Sequence, residues 1–132
     1  MSKKIFPVNT PKAPAPVGPY NQAIIADGWI YCSGQIALDP SSGKLVGQNN
    51  IKEETRQVIN NLKAVLDAAG ADINDVVKTT VFLKNLNDFN DVNEIYAEFF
   101  NGTSSPARAC VEVSALPKNC SVEIDCIAWI GK

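Results

Sequence analysis

Apolar positions along this chain switch between a period of two and a period near 3.6, and the switches mark its elements. Residues 7–19 are rich in proline and must be extended or turning. Gln22-Ala-Ile-Ile-Ala26 reads as a short strand. Asp27-Gly28 is a two-residue turn signal of the kind that needs positive φ, and residues 29–36 alternate large apolar with small or polar side chains, so the two pieces predict a first hairpin. Asp39-Pro40-Ser-Ser-Gly43 is turn chemistry. From Ile51 the spacing becomes helical: Val58, Leu62, Val65, Leu66 and Ala69 share one stripe, Asn50 is placed to cap with Glu53 three residues on, and Gly70 is placed to end the helix. Residues 75–83 are β-branched and read as a third strand. After the polar turn Asn85-Leu-Asn87-Asp88, residues 89–100 carry Val92, Tyr96, Phe99 and Phe100 on a second helical stripe. Two alternating strands, running from about Ser104 and ending near Trp129, read as a last hairpin. The order ββαβαββ predicts one α+β domain, residues 1–132, with both helices on one face of a mostly antiparallel sheet.

Side chains alternate faces along a strand. Ala109, Val111, Val113 and Ala115, together with Val122, Ile124, Cys126, Ala128 and Ile130, are the natural cover for the helices. The other face then carries Arg108, Cys110, Glu112 and Ser114 beside Glu123, Asp125, Ile127 and Trp129. Presenting Cys110, Ile127 and Trp129 on a bare sheet face makes an apolar patch of the kind that marks an interface, and predicts self-association as a symmetric ring or dimer. A partly buried Arg108 needs a partner, and Glu123 or Asp125 is placed within diagonal cross-strand reach. An interface salt bridge without chemistry satisfies these residues as well as a site does. Cys110 beside Arg108 fits an activated thiol, though a small buried hydrophobe is the commoner role.

Composition narrows the chemistry. The chain of 132 residues has no histidine, which excludes a Ser-His-Asp triad, a Cys-His pair and the usual His-rich zinc site within one chain. Acid and base work falls to Asp, Glu, Cys, Tyr or Lys, and no metal site is expected. A net charge of −2 with scattered Lys and Arg gives no argument for nucleic acid or for an anionic membrane. The N-terminus lacks an apolar signal region, and no apolar run approaches the roughly 20 residues of a membrane span. Four cysteines without CxxC spacing read as free thiols in a reducing cytosol, so a cytoplasmic location is expected. One domain of this size builds a deep cleft poorly, which makes a site between subunits attractive.

Gly18-Pro19-Tyr20-Asn-Gln22, Ser33-Gly34-Gln35-Ile36, Leu86-Asn87-Asp88-Phe89 with Asn93, Pro106-Ala107-Arg108-Ala109-Cys110, Leu116-Pro117-Lys118 and Val122-Glu123-Ile124 occur in this order. Together they resemble the RidA branch of the Rid family, also catalogued as L-PSP endoribonucleases, over roughly residues 14–130. The resemblance implies a chorismate-mutase-like, bacillus-type α+β fold, a homotrimer with a barrel core, and clefts between subunits. It also implies hydrolysis of reactive 2-imino acids (2-iminobutanoate and 2-iminopropanoate) to 2-keto acids and ammonia, without a cofactor. Carried over residue by residue, Arg108 matches the arginine that holds the substrate carboxylate, and Glu123 the glutamate that positions water. Tyr20, Ser33, Gly34 and Asn93 match pocket-lining positions, with Tyr20 reaching in from the neighbouring subunit, and Cys110 matches a position that acts through its backbone. The chemistry fits: a bidentate guanidinium grip fixes the imine carbon, and a carboxylate moves protons.

Ser105 stands where the family commonly has an aromatic residue, which predicts a more open and polar pocket. Asp125 and Cys126 stand in place of the commoner Glu and Ala. Two other functions fit the same residues less fully: a trimeric metabolite-binding or chaperone-like module that uses Arg108 without turnover, and an endoribonuclease or translation inhibitor. Glu123 has no evident task in a pure binder.

Overall fold

A computed structural model describes residues 5–102 and 105–131; Ser104, the expected start of the penultimate strand, lies outside them. Asp27 and Gly28 both take positive φ, 54° and 88°, the backbone that a tight turn between twisted strands requires. They join β2 (Ala23–Ala26) to β3 (Trp29–Gln35) as the expected antiparallel hairpin, with Ala26 opposite Trp29. A strand that the sequence pattern did not announce, β1 (Ile5–Val8), pairs with β2 at the sheet edge. Pro7 hid it, since proline reads as a strand breaker, yet at an edge its missing N–H breaks no ladder. The order is therefore βββαβαββ.

Between β1 and β2 the proline-rich segment is tied down by one buried side chain. Gln22 is 2% exposed; its Nε2 donates to the carbonyls of Thr10, Ala13 and Pro14 at 3.1, 3.2 and 2.8 Å, and its Oε1 accepts the Thr10 N–H at 2.6 Å. Prolines cannot donate to a ladder, so the amide side chain supplies the order that secondary structure does not.

Helix α1 (Ile51–Ala68) starts where expected, the Asn50 side chain accepting the Glu53 N–H at 3.2 Å. Val58, Ile59, Leu62, Val65 and Leu66 are fully buried along its inner face. Next come β4 (Val76–Leu83) and α2 (Phe89–Phe99), which packs beside α1 and buries Val92, Ile95 and Tyr96. Exposed ion pairs Lys52–Glu94 and Arg56–Glu98, at 2.5 and 3.0 Å, edge that contact and contribute little.

The last two strands do not form the expected hairpin. Strand β5 (Ala107–Glu112) lies parallel to β4 at the opposite edge, whereas β6 (Val122–Trp129) runs antiparallel between β3 and β4, giving the order β1-β2-β3-β6-β4-β5. Parallel neighbours need a crossover, and α2 supplies it. Alternation assigns faces within a strand but says nothing about which strand lies beside it, so a β-α-β unit followed by a return strand looked like a hairpin.

Strand β6 presents Val122, Ile124, Cys126 and Ala128 to the helices, as expected, all at 2% exposure or less. For β5 the faces are reversed. Arg108 pairs with buried Thr79 and Cys110 with buried Val81, so both lie on the helix side, while Ala109 and Val111 are exposed on the open face. The open face also carries Trp29 and Tyr31 on β3 and Trp129 on β6, with the two indole centroids 6.1 Å apart.

Candidate functional site

The expected residues gather in two places. The first is a cavity of about 390 Å³ at the end of β3, where Tyr20, Ser33, Gly34, Lys118 and Glu123 meet Val17. Ser33 is held at both ends, its N–H donating to the Gln22 carbonyl at 2.9 Å and its Oγ donating to that of Asn21 at 2.6 Å. That leaves the hydroxyl oxygen as an acceptor. The Tyr20 hydroxyl accepts the Val17 N–H at 3.3 Å, which fixes the ring against its own loop.

Glu123 projects from β6 across Gly34. A Cβ on residue 34 would stand 2.2 Å from Glu123 Oε2 and 3.0 Å from its Cδ, so glycine is there for the close approach of a carboxylate. Glu123 is half-buried, and its carboxyl is pushed above the ordinary value of 4.5, first by burial and then by the charge of Asp125 two residues on. Asp125 is also raised by burial, against hydrogen bonds from Thr80 and the charge of Lys78. A carboxylate so placed is suited to taking and returning a proton nearer neutral pH than a free glutamate.

The second place is on the helix side of β5. The Arg108 guanidinium carbon sits 4.8 Å from the Tyr96 ring centroid and 5.5 Å from that of Phe89, and Nη1 donates to Asn93 Oδ1 at 2.6 Å. All three partners project from one stripe of α2. Tyr96 is itself anchored by a 2.7 Å hydrogen bond between its hydroxyl and Thr79 Oγ1. Among the described residues no carboxylate pairs with Arg108. Rings and one amide hold the cation without neutralising it, leaving donors for an anion.

Cys110, two residues along, borders a shallow depression with Leu86, Asn87, Phe89 and Asn90. Burial pushes its thiol up, with Arg108 opposing, so the cysteine is a poor nucleophile. The other three thiols are buried and free. Ser105 sits in the turn after α2, its Oγ donating to the Gly102 carbonyl at 3.1 Å.

The structure thus brings Tyr20, Ser33, Gly34 and Glu123 together, and Arg108, Asn93 and Cys110 together, but not the two sets. The expected cross-strand pair of Arg108 with Glu123 or Asp125 does not form, because β4 lies between β5 and β6 and the side chains point to opposite faces. Three participants escaped the sequence pattern. Tyr96 read as part of a helical stripe and Phe89 only as the end of the Leu-Asn-Asp-Phe tag, neither as a seat for a cation. Lys118 was visible only as part of the Leu-Pro-Lys tag. Among the described residues no cluster of Cys, Asp or Glu is arranged to hold a metal, and no helix is long and apolar enough to cross a membrane.

Residues 10–130 match the family model described as endoribonuclease L-PSP. A RutC family protein of Synechocystis is 54% identical over 97% of each chain. The mouse protein named 2-iminobutanoate/2-iminopropanoate deaminase is 54% identical over 94% of this chain and 90% of its own. The crystal structure of a protein of the conserved Rid family from Yersinia pestis superposes with a TM-score of 0.92 at 49% identity, covering 96% of this chain and 99% of that one.

Proposed function

This chain belongs to the Rid family, and from that premise we propose that it hydrolyses small 2-imino acids, of the 2-iminobutanoate and 2-iminopropanoate class, to 2-keto acids and ammonia. The observation that carries the reading is Arg108: a half-buried guanidinium gripped by Phe89, Tyr96 and Asn93 and, among the described residues, left without a carboxylate partner. Such a group is prepared for a ligand that brings its own carboxylate. The deaminase name borne by the mouse relative at 54% identity supports the substrate class.

Arg108 and Glu123 act on one substrate only if two copies of the chain meet. Arg108 of one copy then faces the cavity of Tyr20, Ser33, Gly34 and Glu123 on the next, and a closed ring of three repeats this site. The exposed row of Trp29, Tyr31, Val111 and Trp129 on the open face supports such an assembly.

In the composite site Arg108 holds the substrate carboxylate, which fixes the imine carbon beside Glu123. Glu123 takes a proton as water adds to that carbon, forming the C–O bond of a carbinolamine. That proton passes to nitrogen, completing the carbinolamine; the hydroxyl proton then moves through Glu123 to the same nitrogen, the C–N bond breaks, ammonia leaves and the carbonyl forms. Protons and electrons balance without histidine or an external oxidant. Ser33 accepts a hydrogen bond from the polar end of the substrate, and the backbone at Cys110 lines the Arg108 side.

Keto-acid release from freshly generated 2-iminobutanoate tests this. Acceleration by the wild-type chain, lost in Arg108→Ala and in Glu123→Gln, is expected. A wild-type rate no faster than buffer overturns the reading, and so does an unimpaired Arg108→Ala. Retained 2-ketobutyrate binding by Glu123→Gln, with no wild-type turnover to lose, would mark a binding module instead.

A further inference from the structure

We propose that Glu54, on α1, is a positioning residue for Glu123, an inference that rests on the reaction proposed above. Glu54 is 3% exposed, and its Oε2 accepts the N–H groups of both Ser121 and Val122, at 2.7 and 3.0 Å. Val122 begins β6 and Ser121 leads into it, immediately before Glu123. Pairing between β3 and β6 ends at Gln35 opposite Ile124, so residues 121 and 122 have no β3 neighbour to bond. A carboxylate from the overlying helix takes the place of the missing strand.

The position is a demanding one for a carboxylate. Burial pushes the Glu54 carboxyl up, against the two backbone donors, and an apolar side chain would pack against the sheet without that cost. An apolar side chain would, however, leave two N–H groups unpaired, one of them buried. What it would also lose is control of the chain at this point. Upstream lies a turn with Lys118 and Asn119 both at positive φ, 54° and 57°, which has few sheet bonds to hold it and which carries Lys118 into the cavity. Downstream, the Glu123 carboxylate lies across Gly34, where a Cβ would stand 2.2 Å from its Oε2. The Lys84 N–H bonds the Ser121 carbonyl at 3.0 Å on the β4 side, and Glu54 fixes the other side. The backbone at 121–122 cannot shift without moving Glu123.

The test separates reach from charge in the full-length chain. Glu54→Gln keeps an acceptor oxygen at the same reach and removes the charge; Glu54→Asp keeps the charge and retracts it by one methylene. Both stay polar, so both are expected to fold. The Glu123 carboxyl is titrated by 13C NMR, and kcat and KM are measured alongside. The titratable groups facing Glu123 are Asp125, Lys118, Tyr20 and Cys120, and those facing Glu54 are Asp88 and Cys120; neither variant alters them.

Glu54→Gln is expected to titrate and turn over like wild type. Glu54→Asp is expected to lower the Glu123 pKa by several tenths of a pH unit, as water reaches the loosened strand end. Its kcat is expected to fall about tenfold while KM, set by Arg108, stays within about twofold. An unchanged Glu123 titration in Glu54→Asp, whatever happens to Tm, overturns the proposal and leaves Glu54 a structural residue. Equal shifts in both variants overturn it in favour of a charge effect. If the wild type releases no keto acid the reaction is wrong, but the Glu123 titration still decides the positioning.

Discussion

Arg108 and Glu123 lie on opposite faces of the same sheet. Arg108 stands opposite Thr79 on β4 and Glu123 opposite Phe82; three residues apart on one strand, these partners point in opposite directions. A guanidinium that rests on the rings of α2 and a carboxylate that rests on Gly34 therefore face different sides of one chain, and the proposed reaction needs both on one substrate.

Two inactive variants should therefore rescue each other. Arg108→Ala and Glu123→Gln, each inactive alone, are expected to regain activity when co-assembled at equal amounts. About one site in four then draws an intact arginine from one variant and an intact glutamate from the other. Keto-acid release from the mixture, against each variant alone, is the measurement. No recovery after demonstrated subunit exchange would mean that each chain carries its own site.

Gly34 should matter for turnover more than for folding. Its backbone is not strained, and a methyl group there collides only with the end of the Glu123 side chain. In Gly34→Ala the carboxylate swings away rather than the strand moving. The expected outcome is a Tm within a few degrees of wild type and a kcat lower by about tenfold or more. A variant that loses stability but keeps kcat would show that Glu123 tolerates displacement.

Legibility in the sequence followed the locality of the physics. Asn50, Glu53 and the Val58–Leu62–Val65–Leu66 stripe announced α1 because capping and helical packing are short-range, and Asp27-Gly28 announced its hairpin for the same reason. The placement of β6 between β3 and β4 is a long-range choice that alternation does not encode. The face of β5 was misjudged because Ala109 and Val111 looked like cover for the helices, whereas Phe89 and Tyr96 give the Arg108 guanidinium an inward seat. Tyr20, Ser33 and Gly34 carried no periodic signal and came only from the order of short tags. Gln22, which organises residues 10–14 through its amide, was visible in a tag but not in its role.

Loosening the seat of Arg108 should weaken binding without altering the chemical step. Phe89→Leu removes one stacked ring and Asn93→Ala the 2.6 Å hydrogen bond to Nη1. A cation–π contact at a partly exposed site is worth about 0.5–2 kcal/mol. Phe89→Leu should accordingly raise KM by about 2- to 30-fold, and Asn93→Ala should raise it too, each with kcat changed far less. Steady-state kinetics with 2-iminobutanoate, or titration with 2-ketobutyrate, reads this directly. A fall in kcat at unchanged KM would assign Arg108 to the chemical step rather than to holding the substrate.

Acidification should raise stability and lower activity over the same interval. Burial, as the leading cause, lifts the carboxyls of Glu54 and Glu123 above 4.5, and those of Asp88 and Asp125 above 3.8. The folded chain therefore holds these protons more tightly than the unfolded chain does. Their contribution to stability is full below the unfolded values and is lost as pH rises through the raised folded ones. Exposed Asp39, lowered by Ser41 and Ser42, works in the opposite sense. As pH falls through the raised folded values toward the ordinary carboxylate range the Tm is expected to climb, and to climb less in Glu123→Gln, which cannot take up that proton. In the proposed reaction Glu123 works in its ionised form, so kcat/KM is expected to fall as pH drops through the raised value, giving an acidic limb above 4.5. Thermal melts and rate profiles across one buffer series test both slopes. A Tm gain identical in wild type and Glu123→Gln would remove Glu123 from the proton balance of folding, and an acidic limb at or below 4.5 would remove it as the group that ionises for catalysis.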